Sequence, residues 1–229
     1  MKLAIVIPAY NEEKSLGSVL NSIPKKIAGI RKIETIVVDD GSKDRTHEIA
    51  RWNKAIAVKH IVNMGVGAAT RTGLEVAKQI NCDIVVTFDA DGQHSPNDIE
   101  RIIQPIIDKE AEFVIGSRLQ STTGMPAIKI FGNWLMNFIT YSVFRQWSTD
   151  SQSGLKAISR KALDSIKLHA TGYEICSELI GEIRRNKFVH KEIPIQTIYT
   201  DYSKIKGQDI FNAINIFTRI VYIKLGSLK

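Results

Sequence analysis

The hydrophobic residues in the first half of the chain fall into short runs rich in isoleucine and valine. These runs occupy residues 3–8, 33–39, 56–60, 84–89 and 113–117. Their length and β-branched composition are typical of buried strands. Between them the apolar residues recur at helical spacing, as from Leu16 to Ile23. Repeated alternation of strand and helix predicts an α/β fold, a mixed and mostly parallel sheet with helices on both faces.

The second half of the chain contains two longer apolar segments, at about 128–147 and 208–225. The first carries few charges and has tryptophan and tyrosine towards its ends, whereas the second has one apolar and one polar stripe. Amphipathic helices of this kind lie either against a protein core or in a membrane interface. We therefore expect two candidate interface helices, within a single domain that spans residues 1–229.

Composition and charge restrict the possible classes of function. The chain has 229 residues, a formal net charge of +7 and only two cysteines, Cys82 and Cys176. Their separation favours neither a disulfide framework nor a zinc site, and it indicates a reducing compartment. We expect no signal peptide and no transmembrane span, because neither pattern is present. The positive charge suits an anionic partner, but no nucleic-acid recognition motif accompanies it, so we expect no nucleic-acid partner.

Polar clusters follow three of the predicted strands, at residues 8–12, 39–42 and 89–94. In parallel sheets ligands bind beyond the carboxyl ends of the strands. Asp89 and Asp91, two residues apart, can face one cation together with the side-chain oxygen of Gln93, and such oxygen ligands suit Mg²⁺ or Mn²⁺. A solvated turn explains the same residues without a metal. The glycines in 63–67 are explained either by a phosphate-binding turn or by tight strand-to-helix packing.

Five motifs, taken in order, resemble those of the inverting family 2 glycosyltransferases, which have the GT-A (Rossmann-like) fold. They lie at residues 5–13, 36–46, 63–65, 87–94 and 116–118. Two later motifs, at 150–157 and 202–204, resemble the acceptor-side segments of dolichyl-phosphate and polyprenyl-phosphate sugar synthases. The resemblance implies a nucleotide-binding half at 1–120 and an acceptor half at 121–229.

The resemblance also implies roles for particular residues. Nucleotide contacts are expected at Pro8, Tyr10, Glu12, Val37, Asp39, Asp89 and Ala90. Mg²⁺ or Mn²⁺ is expected on Asp89, Asp91 and Gln93. Catalysis is expected to depend on Asp91, Arg118 and Lys204, the last two meeting phosphates. The acceptor loop is expected to include Asp150, Gln152, Ser153, Gly154 and Ser203.

The expected reaction is metal-dependent, inverting transfer of a sugar from a nucleotide-sugar to a polyprenyl or dolichyl phosphate. The expected location is peripheral, on the cytoplasmic side of the cell membrane, with a membrane protein as a possible partner. The donor base stays open between UDP and GDP, and the departure from the mannosyl-phosphate synthase pattern at 198–202 favours UDP. Two alternatives stay open: transfer to a saccharide hydroxyl with Asp150 as general base, and a non-catalytic subunit that binds a nucleotide-sugar.

Overall fold

The computed structural model describes residues 1–122 and 125–198, together with Thr218 and Ile220. The strands within these residues are β1 (Lys2–Ala9), β2 (Lys32–Asp39), β3 (Ile56–Lys59), β4 (Ile84–Thr87), β5 (Phe113–Ser117), β6 (Lys156–Ser159) and β7 (His190–Pro194). The helices are α1 (Leu16–Ser22), α2 (Thr46–Trp52), α3 (Val66–Gln79), α4 (Asp98–Ile107), α5 (Ala127–Phe144), α6 (Arg160–Ser165) and α7 (Ile175–Asn186).

The strands form one sheet in the order β3-β2-β1-β4-β6-β5-β7. All neighbouring pairs are parallel except those of β6, which runs antiparallel to β4 and β5. The start of β6 therefore lies at the same edge as the carboxyl ends of the other strands. This single reversal brings the segment before β6 beside the end of β4.

Two apolar layers cover the sheet. Alternate residues of β1 point to opposite faces, as the pleat requires: Ile5 packs with α1 and α4, and Val6 with α3 and α7. Both side chains have no exposed surface. The sheet is thus buried on both sides, which explains why its strands are continuous apolar runs rather than alternating ones.

The predicted α/β fold and all five predicted strands are confirmed, with small shifts at their ends. β4 ends at Thr87 rather than Asp89, because the chain turns away where the acidic motif begins. The first apolar segment forms α5, which ends at Phe144 rather than residue 147. Helix 208–225 lies outside the described residues apart from Thr218 and Ile220. Both are helical, and Ile220 is buried with Met136 and Phe144 of α5.

No helix in the described part of the chain is both long and apolar enough to cross a membrane.

Candidate active site

Three of the polar clusters identified in the sequence meet at one edge of the sheet. Ala9 of β1 is paired with Asp39 of β2, and Asp40 N–H donates to the Ala9 carbonyl at 2.8 Å. Past the end of β4, Phe88 N–H donates to the Val6 carbonyl at 2.9 Å. The turn that carries Asp89 and Asp91 therefore begins directly beside β1.

Asp89 and Asp91 are oriented by different partners. Asp89 Oδ2 lies 2.8 Å from His94 Nε2, and His94 is itself buried with its ring edge-on to Phe88. Asp91 Oδ1 accepts from the backbone N–H of Gln93 at 2.9 Å, and Asp91 Oδ2 accepts from the Gln93 side-chain amide at 2.7 Å. The amide nitrogen of Gln93 thus orients Asp91.

The two carboxylates also affect each other's ionisation. Burial raises the pKa of Asp91, and the negative charge of Asp89 raises it further. Burial opposes the charged form of Asp89 too, but the hydrogen bond and charge of His94 outweigh it and lower the pKa of that carboxyl. Two acidic groups held this close are stabilised together by a cation between them.

The donor set fits a divalent ion that also binds a ligand rich in oxygen. Within residues 1–122 and 125–198, no group of three or more His, Cys, Asp or Glu side chains is arranged to hold a metal. Mg²⁺ is usually held by one or two carboxylates, with phosphate oxygens and water completing its shell. Asp89 and Asp91 match that pattern, with phosphate supplying the remaining ligands.

The predicted acceptor loop touches the acidic turn. A Cβ placed on Gly154 would lie 2.1 Å from Asp89 Oδ2 and 2.4 Å from Oδ1, so glycine is needed for this contact. Thr87 Oγ1 also donates to the Gly154 carbonyl at 2.6 Å. The loop before β6 therefore packs directly against Asp89 and the end of β4.

Arg118 and Asp150 form a buried two-point ion pair. Arg118 Nε donates to Asp150 Oδ2 at 2.7 Å, Nη2 donates to Oδ1 at 2.8 Å, and the Arg118 backbone N–H donates to Oδ2 at 2.9 Å. Asp150 has no exposed surface. Burial alone would raise the pKa of Asp150 and lower that of Arg118, but the pair outweighs it in both cases. Both Asp150 oxygens are therefore occupied.

On the nucleotide side, Asp39 is fully buried and only partly satisfied. Its Oδ1 accepts from Ser42 N–H at 2.9 Å. Its Oδ2 has no hydrogen-bond donor among the described residues, although Lys59 Nζ lies at 3.5 Å and His47 Nδ1 at 3.9 Å. A buried acceptor without a donor is costly, and Lys59 is exposed enough to move aside for a ligand.

The remaining predicted residues differ in how accessible they are. Tyr10 is 40% exposed, so it is free to stack on a base. Val37 and Ala90 are buried in the core, which leaves only their backbone for contact with a ligand. Pro8 is paired with Val38 inside the sheet. Glu12 N–H donates to Thr46 Oγ1 at 2.8 Å at the start of α2.

The glycines of residues 63–67 serve close packing rather than an open phosphate site. A Cβ atom on Gly65 would lie 2.3 Å from the Thr171 carbonyl oxygen, and a Cβ atom on Gly67 would lie 2.7 Å from the Gly172 carbonyl oxygen. The Thr171 carbonyl also accepts from Ala68 N–H at 3.1 Å, at the start of α3. Of the two explanations for these glycines, the structure supports packing.

Three residues that build the site were not among the predicted site residues. Asp40 accepts from the backbone N–H groups of Met64 and Gly65 at 2.9 and 2.8 Å, and its Oδ1 lies 2.7 Å from His60 Nδ1. His94 orients Asp89. Lys156 is 1% exposed, and its ammonium donates to the carbonyls of Ser151 and Ser153 beneath the acceptor loop. Asp40 and His94 lie in the polar clusters at 39–42 and 89–94, and Lys156 lies in the motif at 150–157, so the sequence contained a signal for each of them.

Two acceptor-loop residues face α7 or the loop itself. Gln152 Nε2 donates to Ser177 Oγ at 2.9 Å, and Ser153 Oγ accepts from Leu155 N–H at 3.3 Å. Ser203 and Lys204 lie outside the described residues. The last residue before them that is described, Ile198, donates its N–H to the Gln93 carbonyl at 2.9 Å.

The mixed sheet, with acidic side chains at three strand ends, has the architecture of GT-A glycosyltransferases. Glucosyl-3-phosphoglycerate synthase from Mycobacterium tuberculosis, solved with Mn²⁺, UDP and phosphoglyceric acid, superposes with a TM-score of 0.73. It is 22% identical, over 99% of this chain and 78% of that one, so the likeness concerns the fold.

The chain belongs to glycosyl transferase family 2, whose family model matches residues 4–167. A similar relative is the UDP-N-acetylglucosamine–dolichyl-phosphate N-acetylglucosaminyltransferase of Methanococcus voltae. It is 42% identical over 246 aligned positions, covering 98% of this chain and 96% of that protein. The dolichol-phosphate mannosyltransferase of Pyrococcus furiosus is 25% identical, over 96% of this chain and 64% of that protein.

Proposed function

We propose that this glycosyltransferase moves a sugar from a UDP-sugar to a dolichyl or related polyprenyl phosphate, with Mg²⁺ or Mn²⁺ at Asp89, Asp91 and the side-chain oxygen of Gln93. The observation that carries the proposal is the contact of Gly154 with the Asp89 carboxylate. It puts the segment that resembles the acceptor loop of lipid-phosphate sugar synthases directly beside the candidate metal ligands. The names of the relatives from M. voltae and P. furiosus support the same acceptor class.

The preference for UDP rests on Asp39. One of its oxygens is taken by Ser42, which leaves one buried oxygen without a donor. Uracil offers one ring N–H, whereas guanine offers two neighbouring N–H donors that suit both oxygens of a free carboxylate. The M. voltae relative is named for a UDP-sugar, which makes UDP-N-acetylglucosamine the first donor to test.

A phosphate acceptor needs no protein base, because its second pKa near 6 leaves it largely dianionic at neutral pH. What the chain must supply is position and charge neutralisation. The ion would neutralise charge on the donor diphosphate. Arg118 lies next to the loop that bounds Asp89, and Lys204 is six residues beyond Ile198, a reach of at most about 20 Å. In the proposed reaction these two cations attract the acceptor phosphate, and attack from one face inverts the anomeric centre.

The alternative with a saccharide hydroxyl as acceptor is less well supported. Its candidate base, Asp150, has both oxygens bonded to Arg118 and no exposed surface. A general base needs an oxygen within hydrogen-bond reach of the substrate proton. The alternative of a non-catalytic subunit gives no reason for the segment that resembles an acceptor loop to lie against Asp89.

Replacement of Asp91 tests the reaction. We expect Asp91→Ala to lose transfer from UDP-N-acetylglucosamine to dolichyl phosphate, and to lose the Mn²⁺-dependent part of UDP binding, without a change in melting temperature. Asp108→Ala is the matched control. Asp108 is a carboxylate at the end of α4, and its side chain accepts an exposed hydrogen bond from the side-chain amide of Gln104. Near-normal transfer by Asp91→Ala would refute the metal assignment.

The proposed location is peripheral, at the cytoplasmic face of the membrane, with α5 as the contact. Phe131, Trp134 and Phe138 of α5 are each more than half exposed, and Trp134 stacks on Phe138 with ring centroids 6.1 Å apart. Water is a poor environment for such a row of aromatic rings, and the lipid interface is a favourable one. The net charge of +7 suits anionic lipid.

A vesicle-binding experiment tests this location. We expect the double variant Phe131→Asp and Phe138→Asp to stay in solution when vesicles of phosphatidylglycerol and phosphatidylcholine are sedimented, whereas the unchanged protein sediments with them. Trp52→Asp is the control, because Trp52 is an aromatic residue of α2 that is 67% exposed. Equal sedimentation of the double variant and the control would refute the role of α5.

A further inference from the structure

Helix α5 has two faces of opposite character. Its outer face carries the exposed aromatic residues, whereas its inner face carries two buried polar residues, Asn137 at 3% and Thr140 at 1% exposure. Buried polar groups require partners. The partners of these two residues lie in the acceptor loop and in α7.

Asn137 holds the backbone on both sides of Asp150. Its Nδ2 donates to the Thr149 carbonyl at 2.7 Å, and its Oδ1 accepts from Ser151 N–H at 2.8 Å. One turn later, Thr140 Oγ1 donates to Ser151 Oγ at 3.3 Å. The amide of Asn137 is therefore satisfied at both ends by main-chain groups, and it ties α5 directly to the loop.

The same loop touches both charged centres of the candidate site. Asp150, between the two residues that Asn137 binds, holds Arg118 by two side-chain hydrogen bonds. Four residues later, Gly154 lies against the Asp89 carboxylate with no room for a methyl group. The loop thus links α5 to Arg118 and Asp89 through a few short contacts.

We infer that Asn137 is a positioning residue that couples lipid contact by the outer face of α5 to turnover. The inference rests on the proposed function. Seating the aromatic face in a bilayer surface restrains α5, and Asn137 passes that restraint to the loop at residues 148–154. The enzyme is then most active where its lipid acceptor is found.

Hydrogen exchange and turnover, measured with and without vesicles of phosphatidylglycerol and phosphatidylcholine, test the coupling. In the unchanged protein we expect vesicles to slow amide exchange in 148–154 and to raise kcat towards a short, water-soluble prenyl phosphate. In Asn137→Ala we expect both responses to vanish and kcat to fall about 10- to 100-fold, because small misplacements at a reacting centre have effects of that size.

Three comparisons separate coupling from a merely structural role. Asn137→Asp keeps the acceptor for Ser151 N–H but loses the donor to Thr149, so we expect an intermediate response. Ser142→Ala is the control on the same helix, since its hydroxyl bonds only the Phe138 carbonyl of α5. Vesicle sedimentation and UDP affinity of Asn137→Ala should match those of the unchanged protein.

The outcomes are distinct. If Asn137→Ala loses kcat yet keeps the stimulation by vesicles and their effect on exchange in 148–154, the residue is only structural and the inference is wrong. If Asn137→Ala keeps full kcat, the inference is also wrong. If the unchanged protein transfers no sugar to any prenyl phosphate, the proposed function fails, whereas the exchange data still decide whether α5 is coupled to the loop.

Discussion

Gly154→Ala is the substitution for which the structure predicts the largest functional effect from the smallest chemical change. The new methyl group would lie 2.1 Å from Asp89 Oδ2, 2.4 Å from Oδ1 and 2.5 Å from Cγ. These are not ordinary contacts, so either the carboxylate or the loop must move by about 1 Å or more to restore van der Waals separation. Because Asp89 lies at the start of the turn after β4, outside the sheet, we expect its side chain to give way.

A displacement of this size acts on function more than on stability. Asp89 would leave its 2.8 Å contact with His94, and the separation of Asp89 from Asp91 would change. Misplacement of about 1 Å can reduce turnover by about 100-fold, equivalent to about 2.7 kcal/mol in the activation free energy. We expect the Mn²⁺-dependent part of UDP binding to weaken as well.

Gly132→Ala provides the matched control. Gly132 is in α5, and a Cβ there would meet no atom within 4 Å. Alanine in a helix is favoured over glycine by about 0.5–1 kcal/mol, so this variant should be as stable as the unchanged protein or more so. Transfer rates and calorimetric UDP titrations, with and without Mn²⁺, provide the measurement. Unchanged transfer by Gly154→Ala would show that the loop does not hold the Asp89 carboxylate.

Three further changes test other parts of the site. Because its folded pKa is depressed, Asp150 contributes stability that is present above its unfolded pKa of about 3.9 and is lost as pH falls through the lower folded value. We therefore expect Asp150→Asn to lower the free energy of unfolding, measured with urea at pH 7, by about 3 kcal/mol. The difference in unfolding free energy between the variant and the unchanged protein should narrow as the pH is lowered. A difference that does not change with pH would contradict the ion-pair argument. Asp40→Asn replaces a carboxylate that accepts from two backbone N–H groups. We expect the free energy of unfolding to fall by about 1–3 kcal/mol and UDP to bind more weakly. Unchanged UDP affinity would show that the loop held by Asp40 does not contribute to nucleotide binding. Gly67→Ala should lower the melting temperature because its methyl group meets the Gly172 carbonyl at 2.7 Å, and an unchanged melting temperature would show that this packing is loose.

The buried Arg118–Asp150 pair bears on how the acceptor phosphate is bound. Arg118 has 19% of its side chain exposed and already has a full partner in Asp150. A phosphate that approaches it meets an arginine held rigidly in place, with part of its charge offset. Arg118 is therefore suited to fixed electrostatic attraction of the acceptor phosphate.

Much of the fold was predictable from local pattern. Short runs of isoleucine and valine are typical of buried strands. The apolar residues between these runs recur at helical spacing, which predicts that a helix connects each strand to the next parallel one. The acidic pair Asp89 and Asp91 was recognisable as a candidate metal site for a similar reason, since two carboxylates two residues apart after a strand can face one cation. These features depend on residues close together in the sequence.

Contacts between distant segments were decided by the tertiary structure. The antiparallel β6, inserted between β4 and β5, brings Gly154 to Asp89 across 65 residues, and nothing in either motif indicates that they touch. The same applies to Arg118, which resemblance assigned to a phosphate and which the fold pairs with Asp150. Nothing in the sequence distinguishes Asn137 from the other polar residues of α5, and only packing places the acceptor loop against it. Periodicity determines which face of an element is buried, but only the packed chain determines what that face meets.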